Sequence, residues 1–123
     1  MKGTDLKQMT VPLLIEQFTT LALEQFSAEL YGNTAKYNQL FRELVAIEQE
    51  LKSRTGDQRT ALIPLFSHAN PQVRLMAAEF ALGVARATAC KTLQDLWDRN
   101  EFPQAAFAMG TLRALERGER KPT

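Results

Sequence analysis

Little in this sequence suits catalysis, metal binding or covalent stapling. A single cysteine, Cys90, excludes an intrachain disulfide and a cysteine-rich metal site. A single histidine, His68, excludes His-dominated metal sites and His-pair chemistry. The six glycines are scattered, so no glycine-rich loop is available to cradle a phosphate. The longest apolar runs are about five residues, against the roughly 20 that cross a bilayer. Neither a secretory signal nor a period-two strand pattern stands out. Charge of one sign is missing too: fifteen Lys and Arg against fourteen Asp and Glu leave a net +1. That balance argues against a nucleic-acid partner and against a membrane surface. A cytoplasmic protein with a reduced thiol is the expectation.

What remains is helix. Of 123 residues, 45% are hydrophobic and 24% charged, ordinary for a chain with its own core. Thr10 and Pro12 open a helix over residues 11–31 whose Leu14, Phe18, Leu21, Ala22 and Leu30 follow the 3.6 period, and Gly32 ends it. A second helix starts after Asn33 or Thr34 and runs to about Ser53, with Leu40, Leu44, Ile47 and Leu51 as its stripe. Thr55-Gly56 is the next turn. A shorter third helix, Asp57 to Phe66, contains Pro64 and is expected to bend there. Asn70-Pro71 is a strong start signal for a fourth, Pro71 to about Ala85, burying Val73, Met76, Ala77, Phe80, Ala81 and Val84. On this spacing Gln72 faces away from the core. A fifth helix over 87–99 carries Leu93, Leu96 and Trp97, with Trp97 expected in the core. A sixth over 103–117 carries Ala105, Ala108, Met109, Leu112 and Leu115.

The pattern predicts an all-α fold: six helices in about three antiparallel hairpins, forming an α–α superhelix. Residues 11–117 are expected as one helical-repeat domain, with a flexible N-terminus (1–10) and a flexible tail (118–123) that has nothing to bury.

Residues 62–82, LIPLFSHANPQVRLMAAEFAL, resemble a HEAT repeat: Leu62, Pro64 and Leu65 in its first helix, then Asn70, Val73, Arg74, Ala77, Ala78 and Leu82 in its second. His68 and Asn70 stand where the usual loop acid would be. The strings Tyr37–Arg42, Glu50–Arg54, Asn70–Leu75 and Phe102–Ala105 widen the likeness to residues 11–117. There the chain resembles a bacterial family of short, solitary HEAT-like, armadillo-type proteins of unknown function. The resemblance implies an α–α superhelix and an immunity or adaptor role, and it carries no catalytic residues over.

No residue set points to catalytic, cofactor-binding or metal-binding work. His68 reads as a capping or solvent-facing loop residue, and Cys90 as a small half-buried one. Glu48 and Glu50 do not converge on one helix face. Arg74 reads as a structural residue that ties the helix start to the loop before it. The function expected is therefore a non-enzymatic protein-binding module. In a hairpin solenoid the second helix of each pair lines a concave wall. That wall would present Asn38, Arg42 and Gln49, then Gln72, Leu75, Glu79 and Arg86, then Phe107, Thr111 and Arg113. Asn38, Arg42, Leu75, Glu79, Phe107 and Arg113 are the candidate contacts, with apolar Leu75 and Phe107 the informative ones. The alternatives are a nucleic-acid-binding helical repeat, which the charge balance disfavours, and a scaffold or homodimer.

Overall fold

The computed structural model describes residues 6–123, and these contain six helices and no strand. The all-α expectation holds. Two compact units make up the chain, Met1–Ala61 and Leu62–Thr123.

The N-terminal unit is a helical hairpin of α1 (Val11–Leu30) packed along α2 (Thr34–Ser53). Both helices start on side-chain caps. The Thr10 hydroxyl accepts from the Leu13 N–H and the Asn33 amide oxygen from the Lys36 N–H, each satisfying a donor that has no partner inside its helix. The turn between them needs a left-handed residue, and Gly32 supplies it at φ +67. Leu14, Phe18, Leu21 and Ala22 bury against a core shared with Leu40, Leu44, Ile47 and Leu51. Of the stretch 1–10 expected to be flexible, residues 1–5 lie outside the described residues. Leu6 is buried, and its carbonyl accepts from the Arg54 guanidinium at 2.9 Å.

Residues Gln58–Ser67 form a 3-10 helix rather than the expected α-helix. Pro64 lacks the N–H that an α-helical turn would use, and its ring collides with the carbonyl four residues back. Asp57 begins this segment in a left-handed conformation, and its carboxylate accepts from the Arg59 backbone and guanidinium.

The C-terminal unit holds α3 (Pro71–Ala81), α4 (Arg86–Asp98) and α5 (Gln104–Glu116). The Asn70 side chain accepts from the N–H groups of Gln72 and Val73, the cap the sequence predicts. α3 packs on both α4 and α5, which also pack on each other. Two side-chain pairs fix the direction of α5 against α3. Gln104 donates to Gln72 and Thr111 to Glu79, both across 32 residues. A constant offset means that α3 and α5 run parallel in register, with α4 returning between them.

α3 differs from its expectation in two ways. It ends at Ala81 instead of near Ala85, because Gly83 is a poor helix residue and the Val84 and Ala85 N–H groups both turn back to the Ala81 carbonyl. It is also buried nearly all round. Val73, Met76, Ala77, Phe80 and Ala81 are buried as expected, while Val84 is half-buried. Gln72 and Leu75, assigned to the exposed side, are each only 1% exposed. The face bearing Gln72, Leu75 and Glu79 is the one α5 covers, so its burial follows from a neighbour that helical period alone does not reveal.

These contacts set an order of stabilities for α3. Phe80→Ala should cost about 3–5 kcal/mol as a large-to-small core change. Gln72→Ala should cost about 1–3 kcal/mol, because it leaves the buried Gln104 amide without its acceptor. Urea melts of the two variants check this, and a neutral Gln72→Ala would contradict the α3–α5 pairing.

Candidate functional site

Of the six residues proposed from sequence, four are exposed and two are not. Asn38 and Arg42 lie exposed on α2 of the N-terminal unit. Leu75 is inside the C-terminal unit, so it is withdrawn as a contact residue. Glu79 is half-buried and occupied: its carboxylate accepts from Thr111 and from Arg120, and the Arg120 guanidinium also reaches the Glu79 carbonyl at 3.2 Å. Burial of a carboxylate calls for such partners, and Glu79 is thereby withdrawn as an open contact. The sequence gives the tail nothing to bury, yet Arg120 of that tail anchors it here. Phe107 and Arg113 are exposed on α5.

Two residues expected on core stripes are exposed instead: Leu30, at the end of α1 where nothing covers it, and Trp97. Trp97 is 37% exposed on the last turn of α4, and its ring meets Phe102 edge to face, with centroids 5.7 Å apart and planes at 63°. Phe102 is 56% exposed and Phe107 is 52% exposed. Single exposed apolar residues are ordinary on a monomer, and Leu13, Leu30 and Tyr31 of the N-terminal unit are of that kind. Two large aromatic rings in mutual contact and both accessible are a different feature. Such rings offer contact area at little conformational cost, and Trp is enriched where binding energy concentrates. The signal in the sequence was the spacing of Trp97 and Phe102 around the α4–α5 loop, which no helical period reports.

That loop is positioned by an ion pair between buried Arg74 and half-buried Glu101. Arg74 points back from the first turns of α3. Its Nε donates to the His68 carbonyl at 2.7 Å, one Nη to Ala69, and both Nη groups to the Glu101 carboxylate at 2.7 and 2.8 Å. The structural role expected for Arg74 is the one observed, with the acid supplied by Glu101 instead of by its own loop. The Arg74 hydrogen bonds hold the Glu101 carboxyl below the usual glutamate range, against the opposing effect of burial, with Arg99 adding a smaller pull in the same direction. Asp57 is likewise held low by its hydrogen bonds from Arg59.

His68 is half-buried, and its Nδ1 accepts from the Asn70 N–H at 3.0 Å, which stiffens the loop before α3. Cys90 is half-buried on α4. Among the described residues no cluster of three or more His, Cys, Asp or Glu could hold a metal ion, and no helix is long and apolar enough to cross a membrane.

Comparison with known proteins gives a consistent but silent picture. A family model described as "Domain of unknown function (DUF2019)" matches residues 13–116. Among solved structures, the protein RPA1889 from Rhodopseudomonas palustris CGA009 is similar at 42% identity with a TM-score of 0.93. The match covers 96% of this chain and 98% of that one. No curated protein gives a significant match.

The Arg74–Glu101 pair makes stability depend on acid. Its carboxyl is held low in the fold, so as pH falls the unfolded chain takes up this proton first. The pair's contribution is complete above the ordinary glutamate value of about 4.3 and is lost as pH falls through the lowered native value. Glu101→Gln should therefore cost about 3 kcal/mol at neutral pH by leaving Arg74 buried without its counter-charge. The gap to the unmodified protein should narrow steadily in denaturant melts taken at increasingly acid pH. A gap independent of pH would refute this role.

Proposed function

The chain belongs to the DUF2019 family, and we propose that it is a non-enzymatic protein-binding module of the HEAT-like helical-repeat type. The observation that carries the reading is the accessible Trp97–Phe102 pair on the C-terminal unit. Phe107 and Arg113 are also exposed, on the neighbouring α5. Accessible aromatic side chains are enriched where partner proteins bind most strongly. In the N-terminal unit, Asn38 and Arg42 remain accessible polar contacts.

The repeat assignment is supported by the parallel registration of α3 and α5 at a constant 32-residue offset, and by Arg74 tying the start of α3 to its preceding loop. An immunity or adaptor role is the narrower form of this proposal. It calls for a partner encoded nearby; a toxin-like neighbouring reading frame whose toxicity is relieved on co-expression would support it.

The test starts from capture in cells of the source organism, with the unmodified protein and a Trp97→Ala/Phe102→Ala variant as parallel baits. A true partner is retained by the first and lost by the second, and is then purified and titrated. Trp97 is the sole tryptophan, so its fluorescence should move to shorter wavelength as the partner covers it. Trp97→Ala alone should weaken binding by about 30-fold, the scale of a hot spot near 2 kcal/mol. If every captured protein is held equally by both baits, the aromatic surface is not the site. Steeply salt-dependent binding to duplex DNA would favour the nucleic-acid reading instead.

A further inference from the structure

The C-terminal unit contains a polar cleft of about 320 Å³ that the aromatic surface does not use. Its walls come from the loop before α3, from α3 and from α4, and its polar lining is Ser67, His68, Arg74, Thr92, Asp95 and Arg99. That volume reaches the lower end of the range for small-ligand pockets.

The charges in this lining do not cancel. Glu101 is committed to Arg74 through a two-pronged contact, and Asp95 faces Lys91 at 3.4 Å. Arg99 is exposed at the rim and makes no ion pair or side-chain hydrogen bond to any described residue, its charge acting only at longer range on Glu101. The donors are also in excess. His68 uses Nδ1 as an acceptor from Asn70, so the neutral ring carries its proton on Nε2. The Arg74 bonds occupy four of its five N–H groups and leave one, on Nη1, uncommitted. The Ser67 hydroxyl adds another donor. Thr92 spends its hydroxyl proton on the Thr88 carbonyl. The floor is rigid, because the Arg74 guanidinium is fixed by Glu101 and by two loop carbonyls.

From this arrangement we propose that the cleft binds a small oxyanion, with Arg99 as its principal partner and His68 Nε2–H, Ser67 and the remaining Arg74 N–H as supporting donors. A guanidinium and several N–H and O–H donors sharing one lining match the oxygens of a phosphate or carboxylate group, and charge-assisted hydrogen bonds of this kind are the strong ones. Asp95 at the same lining favours a ligand that carries a hydroxyl or amino group beside its anionic end. The site is separate from the aromatic surface and stands or falls independently of the protein-binding proposal.

The chain's one imidazole makes the test direct, since the His68 ring resonances can only come from this cleft. The protein is titrated by NMR with inorganic phosphate and, separately, with acetate, at constant pH and with chloride holding ionic strength constant. A saturable shift of the His68 signals with phosphate, weakened about tenfold or more in Arg99→Gln, supports a phosphate-type ligand. The same behaviour with acetate supports a carboxylate. Arg99→Lys should restore part of the affinity, because it returns the charge without the planar fork. The proposal is overturned if neither anion produces a saturable shift. It is equally overturned if Arg99→Gln, with its helical circular dichroism intact, binds as tightly as the unmodified protein.

Discussion

A cation near the start of a helix is in the wrong place electrostatically, since the exposed N–H groups there already carry positive potential. Arg74 occupies that position in α3, with its side chain only 8% exposed, and the C-terminal unit is arranged around making this tolerable. Glu101 supplies the opposing charge from the loop between α4 and α5, while the carbonyls of His68 and Ala69 absorb the remaining donors. One guanidinium therefore immobilises two loops. The first carries the Asn70 cap of α3. The second carries Phe102, whose contact with Trp97 defines the aromatic surface, and follows directly on Arg99 at the polar cleft. Both proposed sites inherit their geometry from this pair.

Burial of such a pair is a poor way to gain stability, because desolvation consumes most of the Coulombic attraction. What it supplies is placement. A carboxylate gripped by two parallel N–H···O bonds has one orientation, and so has the backbone that bears it. The buried Gln72–Gln104 amide pair and the Glu79–Thr111 contact do similar work along the α3–α5 seam, where sliding one helix by a turn would leave polar groups unpaired.

Local features were legible in the sequence and relational ones were not. The Thr10, Asn33 and Asn70 caps, the Gly32 turn and the bounds of α1 and α2 all follow from chemistry within a few residues. The structural role of Arg74 could be read as well, because its loop partners lie next to it. Its partner Glu101 could not, being 27 residues away. Leu75 and Glu79 read as an open wall because a helical stripe distinguishes one buried face from the rest, whereas α3 has neighbours on two sides. A trace of this was present: Gln72 and Glu79 repeat at the same seven-residue spacing as Gln104 and Thr111. Trp97 failed for the opposite reason. Its place on the α4 stripe with Leu93 suggested burial, but it lies on the last turn, where the helix ends before anything covers it.

The anchoring of Arg120 to Glu79 bears on how cargo could be carried at this end of the chain. From the anchor to Thr123 the backbone spans about 10 Å when fully extended. Whatever is joined after Thr123, whether a reporter, a surface-attachment group or a second protein, begins its excursion from beside α3 rather than from a loose end. Its accessible volume is a small hemisphere centred on that anchor, and its local concentration near the α3–α5 seam is correspondingly high.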